Sequence, residues 1–152
     1  MFERFTEHAR NVMALANQEA QRFGHECVGS EHILWGLAKE TTGVAAAVLA
    51  HFNVDLKPLR AEVEALIDQR PHVDAVEKLP PSSHAKEVVT FAIEEVRALG
   101  HNYIGTEHLL LGMMRDSEMV SAAVLANLGL EINAVRDEVR RLAPPTRDAP
   151  RS

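Results

Sequence analysis

The sequence predicts an all-α fold of two tandem, pseudo-symmetric four-helix repeats packed as one globular domain. Three observations lead there. Displaced by 76 positions, the chain matches itself without a gap, residues 8–66 against 84–142, and about 22 of the 59 aligned positions are identical; this marks an internal duplication. Apolar residues recur at helical spacing, and no useful length of chain alternates with the period of two that a strand needs. Finally, Pro71, Pro80 and Pro81 cluster in residues 69–81, between the copies, where a linker belongs.

The first helix of copy one has Thr6 as its expected N-cap. Its inward stripe is Ala9, Val12, Met13, Ala16 and Ala20, and Gly24 closes it at the C′ position. Its partner in copy two starts near Ser83, carries Val88, Val89, Ala92, Ile93 and Val96, and stops at Gly100. The second helices are expected to start with Ser30 and Thr106 as N-caps, followed by Ile33, Leu34 and Leu37 or by Leu109, Leu110 and Met113. Short third helices cover residues 44–52 and 120–128, with Gly129 ending the latter; their alanines (Ala45, Ala46, Ala47; Ala122, Ala123) allow close helix approach. Asp55 caps the fourth helix of copy one, and Pro58 is tolerated in its first turn. Leu59, Val63, Leu66 and Ile67 form its apolar stripe, matched in copy two by Val135, Val139 and Leu142. The expected organisation is a double repeat over 1–143 (1–68, linker 69–81, 82–143), then a proline-rich tail, 144–152, read as disordered or as the start of a linker.

Composition narrows the function classes. An apolar fraction of 46% with 25% charged residues is that of a globular chain with a core, and aromatics at 5% leave that core to aliphatic side chains. A net charge of −6 disfavours nucleic acid as a partner. Cys27 has no second cysteine to pair with, and the charged start after Met1 (Glu3, Arg4, Glu7) is unlike a signal peptide or membrane span. A cytoplasmic location, no membrane contact and a natural amino terminus at Met1 are the expectations. No G-x-x-x-x-G-K-[ST] stretch is present, so no P-loop ATP chemistry is expected.

The duplicated G-[ST]-E-H segment is the most informative local feature. Ser30 and Thr106 with Glu31 and Glu107 put a carboxylate beside the backbone donors of a helix start. Such a start attracts anions, and a carboxylate next to it pairs with guanidinium; together they suit a ligand carrying both charges. Helix capping with no ligand explains the same residues. His25, Cys27, Glu31 and His32 are metal-ligand types close in sequence, but their spacing is not a zinc pattern and Tyr103 replaces Cys27 in copy two. No metal site or cofactor is therefore expected, and His32 and His108 are expected to be packed and hydrogen-bonded. His25 and His101 follow helix-ending glycines, placed to bond terminal carbonyls. A lone Cys27 makes no case for a nucleophile. Trp35, where copy two has Leu111, reads as core packing or a partner anchor. Phe5 staples the first helix, and Phe2 either folds onto the core or faces a partner.

The stretches MFERFTEHARNVMALANQEAQRFGHECVGSEHILWGL and EEVRALGHNYIGTEHLLLGM resemble the amino-terminal repeat domain of the Clp/Hsp100 AAA+ unfoldases, closest to the ClpC type, over about residues 1–143. The resemblance implies a non-enzymatic module that binds protein substrates and adaptor proteins for an AAA+ Clp ATPase, in cis or in trans. It also implies recognition of phosphoarginine, a degradation mark, at one site per repeat centred on Glu31 and Glu107, with Ser30 and Thr106 beside them. Met119 departs from the pattern, standing where such domains often have glycine, which questions the backbone there. No ATPase module lies within these 152 residues. Two further readings follow: a free-standing regulator competing for Clp adaptors or substrates, and, more remotely, a metal-dependent enzyme. A monomer is expected.

Overall fold

The computed structural model describes residues 4–69 and 79–145. Over these residues the chain forms eight helices: α1 (Glu7–Arg22), α2 (Ser30–Lys39), α3 (Val44–His51), α4 (Leu56–Asp68), α5 (Ser83–Leu99), α6 (Thr106–Met114), α7 (Val120–Asn127) and α8 (Ile132–Leu142). The all-α class and the repeat order are as the sequence predicts.

Local chemistry accounts for the ends. Thr6 and Ser82 each accept the third backbone N–H of their helix, from Ala9 and Ala85, both at 3.1 Å. Gly24 and Gly100 lie in the left-handed region at φ 67° and 73°, and the following residues close the helix ends: His25 N–H donates to Ala20 C=O and His101 N–H to Val96 C=O, each at 2.9 Å.

Apolar periodicity translates into packing with one exception. Ala9, Val12, Ala16 and Ala20 on α1, Val88, Ala92 and Val96 on α5, and Leu59, Val63 and Ile67 on α4 are buried. Met13, Val89, Ile93 and Leu66 cover the edge of the core. Leu142, expected in the α8 stripe, is exposed, because it lies at the last turn of α8, where the core ends; Val135 and Val139 are buried. Met119 needs no glycine-like backbone: its φ of −76° and ψ of 142° are extended, and its side chain is buried. Gly43, its counterpart, is also extended, but a Cβ there would sit 2.6 Å from Thr106 Oγ1.

The nearly continuously apolar α2 and α6 form the centre, with every residue from Thr106 to Met113 buried. α1 lies against α2, and α5 against α6, at close range. Gly36 and Gly112 permit this: a Cβ at either would sit 2.5 Å from a backbone carbonyl oxygen, of Val12 or Val88.

The two repeats are laced together reciprocally. Thr6 N–H donates to Ile104 C=O at 2.9 Å and Ile104 N–H to Arg4 C=O at 2.8 Å. At the symmetry-related place, Val28 N–H donates to Pro80 C=O at 2.9 Å and Ser82 N–H to Val28 C=O at 2.8 Å. These form two isolated parallel bridges, Phe5 with Ile104 and Val28 with Pro81. Each repeat thus threads the lead-in of its first helix along the loop before its partner's second helix. Leu79, beside this crossing, is buried and its N–H reaches Asn17 Oδ1 at 3.2 Å.

Candidate functional site

The lacing brings helix starts from both repeats together. Gly29, Ser30 and Glu31 at the start of α2, Ser82, Ser83 and His84 at the start of α5, and Val120 at the start of α7 line one concave site of about 170 Å³. Three helix N-termini therefore face one small space, a concentration of partial positive charge. Glu31 is the only carboxylate among these lining residues, and it keeps 9% exposure. Val120 is exposed at 42% and forms an apolar margin.

The N-cap expectation for Ser30 and Thr106 is corrected. Gly29 and Gly105 are the N-caps, at φ −106° and −105°, and Ser30 and Thr106 are the first helical residues. A cap side chain is not needed here, because an imidazole three positions after the cap satisfies the cap's own N–H. Gly29 N–H donates to His32 Nδ1 and Gly105 N–H to His108 Nδ1, both at 2.8 Å. Thr106 caps a different helix, accepting from Ala45 N–H of α3 at 3.0 Å across the repeat boundary.

These bonds set the tautomers. With Nδ1 accepting, neutral His32 and His108 carry hydrogen on Nε2 and donate to His25 Nδ1 (2.8 Å) and His101 Nδ1 (2.7 Å). His101 then donates from Nε2 to Ala143 C=O at 2.7 Å, so the expected carbonyl contact is made, but at the end of α8. Burial, reinforced by His101, pushes the His108 pKa down to about 3. The histidines lock helix ends to one another, and among the described residues no cluster of three His, Cys, Asp or Glu is placed to hold a metal.

The matching place in repeat two is differently furnished. Glu107 is 1% exposed; Tyr103 Oη donates to its Oε2 at 2.9 Å. Its Oε1 folds over the Gly105 backbone, and the carboxylate also accepts its own backbone N–H. Burial raises the Glu107 pKa despite these bonds, and burial followed by the Glu107 charge raises that of Tyr103. Nearby, Glu40 accepts from Gly43 N–H (2.8 Å), Thr42 N–H (3.2 Å) and Thr42 Oγ1 (2.7 Å) and pairs with His8 Nδ1 (2.8 Å). Burial alone would raise its pKa, but these partners hold it low.

Glu31 and Glu107 thus stand at the two related helix starts, and Ser30 lines the first site. Phe2 lies outside the described residues. Trp35 is half-buried, donating from Nε1 to Glu64 at 3.3 Å beneath the Lys39 ammonium. Ser82, Ser83, His84 and Val120 were not singled out from the sequence; the 76-residue register alone does not show that the repeats cross.

The profile of the Clp repeat (R) N-terminal domain matches residues 4–128 and again 92–147. The chain is 53% identical over 146 residues to an "ATP-dependent Clp protease ATP-binding subunit ClpA homolog" of Guillardia theta, covering 96% of this chain and 18% of that protein. It is 51% identical over 142 residues to "Chaperone protein ClpC1, chloroplastic" of Arabidopsis thaliana, covering 93% of this chain and 15% of that one. The chain therefore spans under a fifth of the length of these relatives. The crystal structure of the N-terminal domain of the caseinolytic protease associated chaperone ClpD from Arabidopsis thaliana superposes with a TM-score of 0.72 at 27% identity, covering 93% of this chain and 96% of that one.

Proposed function

The chain belongs to the Clp repeat N-terminal domain family, and from that premise we propose that it is a protein-recognition module, not a catalyst, serving an AAA+ Clp unfoldase in cis or in trans. Its ligands are protein substrates and adaptors, and the marked residue it reads is phosphoarginine. The observation that carries this reading is the cleft where the starts of α2, α5 and α7 surround Glu31. Helix-start N–H groups and the hydroxyls of Ser30, Ser82 and Ser83 suit a phosphoryl group, while the Glu31 carboxylate suits the guanidinium that carries it. A ligand with only one of these charges satisfies only half of the cleft.

Calorimetric titration with free phosphoarginine, against arginine and phosphate separately, tests the reading. Binding selective for the combined ligand and removed by Glu31→Ala with Glu107→Ala is the expected result. Equal titration curves for the wild type and the double variant would overturn the site assignment. Adding the protein to a reconstituted unfoldase and peptidase then separates delivery from competition: delivery raises the degradation rate of a marked substrate, and a competing regulator lowers it.

A further inference from the structure

We infer that Arg4, Arg97 and the apolar hollow they border form a separate recognition site, which takes the carboxy-terminal residue of a partner protein by its apolar side chain and free carboxylate. The site stands apart from the cleft at Glu31 and does not depend on what that cleft binds.

The hollow lies where the repeats cross. Ile93 and Val96 of α5 and Ile104 in the loop before α6 line a space of about 210 Å³, together with Arg4 and Arg97. Val96 and Ile104 are buried and Ile93 packs against the core, so the floor is apolar, while both arginines are exposed. Arg97 comes from the last turn of α5. Arg4 is brought to it by the lacing, its C=O accepting Ile104 N–H at 2.8 Å. Tyr103 also lines the space and adds a ring, since its hydroxyl is spent on Glu107.

Charge points to the occupant. Acidic residues outnumber basic ones, 22 to 16, and Arg22, Arg115, Arg136, Arg140 and Arg141 are each paired with a carboxylate. Among the described residues, neither Arg4 nor Arg97 has an ion-pair partner. Two unpaired guanidinium groups beside one apolar hollow suit a carboxylate with an apolar group attached. The space is smaller than the roughly 300 Å³ at which pockets for larger ligands begin, so it suits a single residue. An internal aspartate or glutamate brings the charge but leaves the floor to a second residue. A carboxy-terminal residue carries both parts on one Cα.

Repeat one shows that the fold does not require this pair. Across the 76-residue register Arg4 falls on Pro80, Arg97 on Gln21 and Ile93 on Asn17. Asn17 spends its side-chain oxygen on Leu79 N–H at 3.2 Å. The same helices pack there with neither arginine and with a polar residue in place of the floor.

Fluorescence polarisation tests the site, with the full chain titrated into an amino-terminally labelled Gly-Ser decapeptide ending in leucine. The free acid is expected to bind at least about tenfold more tightly than the same peptide amidated, the scale of one charge-assisted hydrogen bond. Glycine in place of the terminal leucine should cost about as much, through lost apolar burial. An amidated peptide with aspartate before the leucine separates an internal acidic side chain from a chain terminus, and it should stay weak. Arg4→Met and Arg97→Met keep the apolar stems, and each should weaken the free acid about tenfold. Gln21→Met, at the matching place in repeat one, should not, and circular dichroism checks each fold. Glu31→Ala should leave this binding unchanged, so the failure of either site is seen independently of the other. Equal binding of acid and amide, an aspartate-bearing amide as tight as the acid, or no binding of the acid would overturn the inference. So would a double variant, Arg4→Met with Arg97→Met, that binds like the wild type.

Discussion

His108 shows how a single buried residue ties stability to pH. Inside the fold it stays neutral down to about pH 3, whereas in the unfolded chain it takes a proton near pH 6.5. Below pH 6.5 the unfolded state therefore binds more protons, so this residue's contribution is fully present above that pH and is lost as pH falls. Between pH 6.5 and 5 the expected loss averages about 1 kcal/mol per pH unit, before carboxylate titrations such as that of Glu107 enter with the opposite sign. Urea denaturation across that window measures it; a flat profile would contradict the burial of a neutral imidazole. Thr106 gives a second residue-scale expectation. Its hydroxyl caps α3 from another repeat, so Thr106→Val should cost about 1 kcal/mol. Hydrogen exchange should show the loss at Ala45 of α3 and not at the start of α6, where His108 does the capping.

Between helices, close approach and charge decide the outcome. Replacing a helical glycine by alanine ordinarily gains about 1 kcal/mol. At Gly36 and Gly112 the new methyl would lie 2.5 Å from a backbone carbonyl of the neighbouring helix, and separating two packed helices costs about 1–3 kcal/mol. Overpacking wins, so Gly36→Ala and Gly112→Ala should both lower the melting temperature; a rise in either would refute the close crossing. Glu95 and Glu19 occupy one register position but have unlike surroundings. Burial would raise the pKa of Glu95, yet Arg136, bonded through Nε and Nη2 at 2.9 and 2.8 Å, and Arg115 at 3.0 Å hold it low. Glu19 is as buried, but its nearest cation is Arg22 Nε at 3.9 Å, and burial leaves its pKa raised. Its counterpart of Arg115, Lys39, lies over the Trp35 ring. Glu95→Gln should therefore cost about 2 kcal/mol and Glu19→Gln clearly less, as chemical denaturation of the two variants will show.

For the whole molecule, the reciprocal bridges should make the repeats unfold as one cooperative unit. Trp35 reports on the first repeat and Tyr103 on the second, and each is the only residue of its kind. Their fluorescence transitions in denaturant should coincide, whereas two separate transitions would mean that the lacing at Ile104 and Val28 contributes little. The helices, their termini at Thr6, Gly24, Asp55 and Gly100, and the duplication were legible in the sequence because each depends on neighbours within a turn or two. The pairing of Glu31 and Glu107 at equivalent helix starts was legible for the same reason. The cap was misplaced by one residue, since nothing in G-[ST]-E-H shows that histidine, not serine or threonine, takes the glycine N–H. By itself, then, the sequence determined what each segment becomes. Only the tertiary structure decided what each segment meets: Ser82, Ser83 and His84 beside Glu31, Thr106 on α3, and Tyr103 across Glu107. Helices and turns form through short-range hydrogen bonds and periodic burial, while a cleft assembled from two crossing repeats depends on contacts tens of residues apart.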